Sequence, residues 1–140
     1  MKPDHPGTRA EQRGPTSIAL VDDEAAVRRA LVRLLRTAGL QAQGFASAAA
    51  FLESLARRRP DCLIVDLHMT GMSGLEMLRE MRRQGWALPT VVMTVSYGPQ
   101  ARALCRDAGA TVFVTKPIDE ATLLDAIATA LGGAAAADTA

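Results

Sequence analysis

Residues 62–66 read Cys-Leu-Ile-Val-Asp, four apolar side chains in a row and then a carboxylate. A strand with one wet face alternates apolar and polar residues. An unbroken apolar run this short marks a strand covered on both faces. Such strands belong to parallel sheets with helices above and below. Asp66 stands where the strand should stop, so its carboxylate is expected at the carboxyl edge of the sheet, where open α/β sheets bind ligands. An aspartate there also caps turns, so Asp66 gains meaning only from what the other strands end in.

The rest of the chain supplies neighbours for that strand. Residues 16–21 form an apolar run through Ile18, Ala19, Leu20 and Val21, followed at once by Asp22-Asp23-Glu24. A helix then runs to about residue 38 with Val27, Leu31, Leu34 and Leu35 on one face, and Gly39 ends it. Residues 41–46 are a weaker strand with polar residues and a glycine, which suits a sheet edge. Ser47 caps a helix expected to reach Arg58, stopped by Pro60, before the strand at 61–65. Ser73 and Glu76 have capping-box spacing ahead of Leu75, Leu78 and Met81. Strands follow at 90–93 and 111–114, and helices at 99–108 and 119–131, the last with Leu123, Leu124 and Ile127 inward. Five strands alternating with five helices imply βαβ units with right-handed crossovers, hence an α/β fold around a doubly wound parallel sheet. Residues 16–131 are expected to form one domain. Residues 1–15, rich in proline, glycine and charge, and the small-residue stretch 132–140 read as loose tails.

Composition narrows the function classes. Across 140 residues, 49% apolar and 22% charged content is that of a globular chain, and no apolar run is long enough for a membrane span. The amino-terminal segment has no signal-peptide core. A formal charge of +1 gives no electrostatic case for direct nucleic-acid binding. The two cysteines, Cys62 and Cys105, have no metal-site or redox spacing, and Cys62 opens an apolar strand as a buried thiol would. A cytoplasmic setting follows by elimination.

The strand ends share a chemistry. Asp22 and Asp23 follow the first strand, Asp66 the third, Thr94 and Ser96 the fourth, and Thr115, Lys116 and Pro117 the fifth. In a doubly wound sheet all of these lie on one rim. Two unit charges about 4 Å apart repel by roughly 4 kcal/mol at an effective dielectric near 20. Protonating one carboxylate relieves this. A divalent cation relieves it better, because Lys116 offers one positive charge against three negative. Oxygen ligands favour a hard ion such as Mg²⁺. A carboxylate beside such an ion can act as nucleophile toward phosphorus, with Thr94 and Lys116 holding the phosphoryl oxygens.

With these pieces in order, the chain resembles the response-regulator receiver domains of two-component signalling, such as the receivers of transcriptional regulators. The matching residues are Val21-Asp22-Asp23-Glu24, Val65-Asp66 with Gly71-Met72-Ser73-Gly74, Met93-Thr94, and Phe113-Val114-Thr115-Lys116-Pro117. The resemblance covers about residues 16–131. It implies a flavodoxin-like fold with strand order 2-1-3-4-5. It implies Asp66 as phosphoacceptor for a histidine kinase or phosphotransfer protein, and Asp22, Asp23, Asp66 and the backbone carbonyl of His68 as the Mg²⁺ site. Thr94 takes the switch-hydroxyl position, Phe113 the switch-aromatic position and Lys116 the lysine position, with a cis Lys116-Pro117 bond. The receiver acts as a switch, not as an enzyme on a separate substrate. The face made by the fourth helix, fifth strand and fifth helix would meet a downstream protein, an output domain or a second copy.

Two positions depart from the pattern. Receivers of this kind usually carry proline where this chain has Thr70, so the loop after Asp66 is expected to be less restrained. They usually carry a small residue where this chain has Val95, whose branched side chain at the mouth of the site would slow phosphoryl exchange. The His68 ring is expected to face solvent, leaving only its backbone to the site. Rival readings are a receiver-fold interaction module without phosphotransfer and an aspartate-nucleophile phosphatase of the haloacid-dehalogenase type. The latter needs a second aspartate two residues after the nucleophile, where this chain has His68, and a longer chain.

Overall fold

The structure, a computed structural model, describes residues 15–95 and 98–132. Apart from Pro15 and Gly132, the two expected tails lie outside the described residues, as does Ser96. In chain order the elements are β1 Ser17–Val21, α1 Ala25–Thr37, β2 Gln41–Phe45, α2 Ala48–Leu55, β3 Cys62–Asp66, α3 Gly74–Arg83, β4 Thr90–Thr94, α4 Pro99–Asp107, β5 Val112–Thr115 and α5 Glu120–Gly132. The five strands pair in parallel in the order β2-β1-β3-β4-β5. The most apolar strands are the inner ones: β3 and β4 are buried at every residue, while the polar β2 takes an edge.

Strand alternation divides the interior into two layers. Ile18, Leu20, Cys62, Ile64, Val91, Met93, Val112 and Val114 pack with Leu31 and Leu35 of α1 and with Leu123, Ala126, Ile127 and Ala130 of α5. Ala19, Val21, Leu63, Val65 and Val92 pack on the other side with Phe51 and Leu55 of α2, Met77, Leu78 and Met81 of α3, and Cys105 of α4. Cys62 is fully buried, and that burial pushes its thiol up to about 12.

The local signals act as written in the sequence. The Ser47 hydroxyl accepts the Ala50 N–H at 3.1 Å. Ser73 and Glu76 close a complete capping box, at 3.1 Å from the Glu76 N–H to the Ser73 hydroxyl and 2.8 Å from the Ser73 N–H to Glu76 Oε1. After α1, Gly39 adopts φ +94°, letting its N–H reach the Arg36 carbonyl and that of Leu40 reach Leu35. The Lys116-Pro117 bond is cis.

Several boundaries differ from expectation. α2 ends at Leu55 rather than near Arg58, because the N–H groups of Arg57 and Arg58 both turn back onto the Ser54 carbonyl, at 3.0 and 2.9 Å. Two of the arginines beyond it bond to other segments. Arg58 donates to Gln41 Oε1 at 3.1 Å, and Arg59 donates to the Ala87 carbonyl at 2.9 Å with its guanidinium 5.9 Å from the Trp86 ring. The strands β3, β4 and β5 also run one residue further than expected. Asp66 still pairs with Met93, and Thr94 with Thr115, so these two side chains sit on the last rungs of the ladder rather than in loops.

Candidate functional site

Asp22 follows β1 and is fully buried, with its N–H bonded to the Phe45 carbonyl at 3.1 Å. Its Oδ1 accepts the Glu24 N–H at 2.9 Å and its Oδ2 accepts Lys116 Nζ at 2.9 Å. Arg28, one turn into α1, donates from Nη1 to the Asp22 carbonyl at 2.8 Å. Both carboxylate oxygens and the backbone of Asp22 are therefore fixed.

Asp66 is 6% exposed at the end of β3. Its Oδ1 accepts the His68 N–H at 3.2 Å and its Oδ2 accepts Lys116 Nζ at 3.3 Å. Burial pushes the Asp66 carboxyl above the ordinary carboxylate range. Lys116 works against that and Asp22 adds to it. For Lys116, burial favours the neutral amine, but the carboxylates of Asp22 and Asp66 outweigh it and hold the ammonium above the usual lysine range. Asp23 is exposed, and its Oδ2 accepts the Thr70 N–H at 2.7 Å. That bond holds the Asp23 carboxyl below its ordinary range against a smaller opposing effect of burial.

One carboxylate oxygen from each of Asp22, Asp23 and Asp66 can be chosen so that all lie within 4.8 Å of one another. Three carboxylates face one ammonium, so the cluster carries excess negative charge with oxygen donors only. That donor set fits a hard divalent cation.

The remaining site residues from the sequence fall around this cluster. Thr94 is fully buried at the end of β4, the strand next to β3, and its carbonyl accepts the Lys116 N–H at 2.7 Å. Phe113 is half-buried against the α2–α4 side of the sheet. Its register partner is Val92, so it lies two residues along the sheet from Thr94 on the same face. His68 is exposed and only its N–H touches Asp66. Val95, directly after Thr94, is 65% exposed.

Gly74 was part of the quoted motif with no role assigned to it. A Cβ there would stand 2.5 Å from the Asp66 carbonyl oxygen and 2.9 Å from Leu67 Cα. The first residue of α3 thus lies directly on the strand end that carries Asp66, with its N–H on the Leu67 carbonyl at 3.0 Å. Gly74→Ala is expected to destabilise the fold by roughly 2–3 kcal/mol, since the neighbour is backbone that cannot step aside. Urea unfolding measures this, and a change within 0.5 kcal/mol or so, the scale of an ordinary surface substitution, would contradict it. Arg28 was also missed. Its signal was its place one turn after the acidic pair, but helical arginines are too common for spacing alone to single it out.

A family model described as the response regulator receiver domain matches residues 18–128. The chain belongs to that family. Among curated proteins, the receiver is 35% identical over 118 residues to the transcriptional regulatory protein FixJ of Azorhizobium caulinodans, covering 84% of this chain and 56% of that one. It is 40% identical over 114 residues to the response regulator protein TmoT of Ectopseudomonas mendocina, covering 81% and 52%. The chain thus spans about half the length of these two relatives. Among solved structures, it matches the crystal structure of FixJ-N with a TM-score of 0.78 at 32% identity, covering 84% of this chain and 94% of that one. It matches the chemotaxis protein CheY4 of Vibrio cholerae with a TM-score of 0.81 at 26% identity, covering 84% and 100%. The strand order 2-1-3-4-5 and the five helices are those of this flavodoxin-like receiver fold. Among the described residues, no helix is long and apolar enough to cross a membrane.

Proposed function

We propose that Asp66 is the phosphoacceptor of this receiver and that Asp22, Asp23, Asp66 and the backbone carbonyl of His68 hold Mg²⁺. The observation that carries this reading is Lys116 Nζ, placed between Asp22 Oδ2 at 2.9 Å and Asp66 Oδ2 at 3.3 Å. An ammonium there can follow negative charge onto an incoming phosphoryl group. Phosphorylation by a histidine kinase is the standard function of the family to which the chain belongs.

In this reading an Asp66 carboxylate oxygen attacks the phosphorus of a phosphohistidine. The P–O bond to Asp66 forms as the P–N bond breaks, and the departing imidazole nitrogen takes up a proton. The bound cation supplies charge neutralisation for the transferred group. Lys116 and the Thr94 hydroxyl bind phosphoryl oxygens. The added charge, about −1.5 to −2, draws Thr94 toward Asp66. The room it leaves lies on the face it shares with Phe113, whose ring moves inward. The surface of α4, β5 and α5 changes with it, for a downstream protein, an output domain or a second copy to read.

The partner upstream is a histidine kinase or phosphotransfer protein, and the setting is cytoplasmic. The receiver comprises residues 16–131 with a tail on either side, and it catalyses only its own phosphorylation and dephosphorylation. A phosphatase of the aspartate-nucleophile type is disfavoured by His68, which offers Asp66 a backbone N–H and no second carboxylate.

The test is incubation with Mg²⁺ and acetyl phosphate. One hydroxylamine-labile phosphoryl group per chain is expected. Phosphate release with no phosphoryl group retained on the chain, or no uptake at all, would overturn the reading. Val95→Ala, which clears a branched side chain from beside Thr94, is expected to speed phosphorylation or dephosphorylation by about two- to tenfold, a scale of up to roughly 1.4 kcal/mol in the barrier. Rates followed by phosphate-affinity electrophoresis decide it, and unchanged rates remove the idea.

A further inference from the structure

We propose that the backbone N–H of Thr70 is a positioning group that sets the Asp23 carboxylate for the cation. The inference rests on the reading that Asp22, Asp23 and Asp66 hold Mg²⁺.

Asp23 lies just after β1 and Thr70 in the loop between β3 and α3, 47 residues apart. Both are exposed, so packing does not fix the Asp23 side chain. The largest hold on it is the 2.7 Å bond from the Thr70 N–H to Oδ2, short and charge-assisted, to which the Thr70 side chain adds a weaker one. A carboxylate has about four lone-pair directions, so one N–H leaves a full oxygen for a cation. Asp22 has both oxygens already engaged, one by the Glu24 N–H and one by Lys116. Asp23 is therefore the carboxylate of the cluster held chiefly by Thr70, through its N–H first and its side chain second, with a smaller contribution from the Asp23 N–H.

A proline at position 70 would have no N–H to give. Thr70, which lacks a ring to restrain this loop, has in its place a hydrogen bond to a carboxylate assigned to the metal, and that ties the order of the loop to the order of the site. The Thr70 N–H and the cation would act on the same carboxylate from two sides.

Mg²⁺ titration calorimetry on the full chain tests this, using the wild type, Thr70→Pro, Thr70→Ala and Thr70→Ser. Thr70→Pro is expected to bind Mg²⁺ about three- to tenfold more weakly, the scale of ordering one side chain. Its melting temperature in chelator should stay near that of the wild type, which a merely structural role would not allow. Thr70→Ser is expected to restore wild-type affinity, and Thr70→Ala, which keeps the N–H and loses the hydroxyl, to fall between. Amide exchange gives an independent measurement that needs no proline. The Thr70 amide should be protected in the wild type and should exchange faster in Asp23→Ala. If Thr70→Pro folds and binds Mg²⁺ as tightly as the wild type, or if Asp23→Ala leaves Thr70 protection unchanged, the inference is overturned while the metal reading stands. If the wild type takes up no Mg²⁺, the metal reading falls and takes the inference with it.

Discussion

Asp66→Asn is expected to end phosphoryl uptake from acetyl phosphate and at the same time to make the metal-free fold more stable. The first effect is a complete loss, because an amide offers phosphorus no anionic oxygen. The second follows from the burial of Asp66. Burial holds the folded carboxyl above its ordinary range, so the folded chain binds that proton more tightly than the unfolded chain does. Keeping Asp66 ionised therefore costs stability above the folded pKa. The cost shrinks as pH falls through that value toward the unfolded one. Asparagine removes it at every pH. The expected gain at neutral pH is on the order of 1 kcal/mol, because Lys116 already cancels much of the repulsion from Asp22. That is a few degrees in Tm, measured in chelator. The gap between the two proteins should narrow as pH is lowered toward about 4, the ordinary aspartate range. A labelled Asp66→Asn chain would move the phosphoacceptor elsewhere, and an unchanged Tm would mean that Lys116 fully compensates.

Lys116→Met should be the most destabilising change at the site. It leaves Asp22, fully buried, and Asp66, 6% exposed, facing each other without a cation. Removing one partner of a buried ion pair costs about 3–5 kcal/mol. Here the expected loss is about 3 kcal/mol, since Asp66 can take up a proton in response. The Lys116 ammonium is held above its ordinary range, so its contribution is present at neutral pH, where its partners are ionised, and is lost as pH rises through its folded value. Urea denaturation in chelator checks the loss. Asp66→Asn placed on top of Lys116→Met should recover part of it, because one of the two stranded charges is gone. Recovery of nothing would mean that Lys116 acts through its packed stem and not its charge.

The sheet was legible because β1, β3 and β4 are buried on both faces, and their continuous apolar runs have few other uses. The rim chemistry was legible because each functional side chain stands at a strand end. Parallel strands in one sheet bring their carboxyl ends together whatever the loops do. The Ser73-Glu76 box and the glycine after α1 were readable because each satisfies backbone groups within a few residues. What stayed hidden depends on contacts between distant segments. The early stop of α2 is set by two N–H groups sharing one carbonyl, and the sequence of Ala56 to Arg59 permits another helical turn equally well. The closeness of Gly74 to Asp66 depends on the angle at which α3 leaves its loop. The Thr70–Asp23 bond joins two loops whose sequences say nothing of each other. Position 70 had been read for what it lacks, a ring, and not for what it gains, a donor.

Lys116 has one more consequence, set by its place in the chain. Its ammonium comes from the end of β5, and the acids it neutralises come from β1 and β3. During translation Asp22 leaves the ribosome 94 residues, and Asp66 50 residues, before their counter-charge. In a nascent chain ending before β5, the gathered acids of β1 and β3 would depend on a proton or a cation from solution in place of the Lys116 ammonium. The rim thus acquires a counter-charge of its own only with the last strand of the sheet to be made.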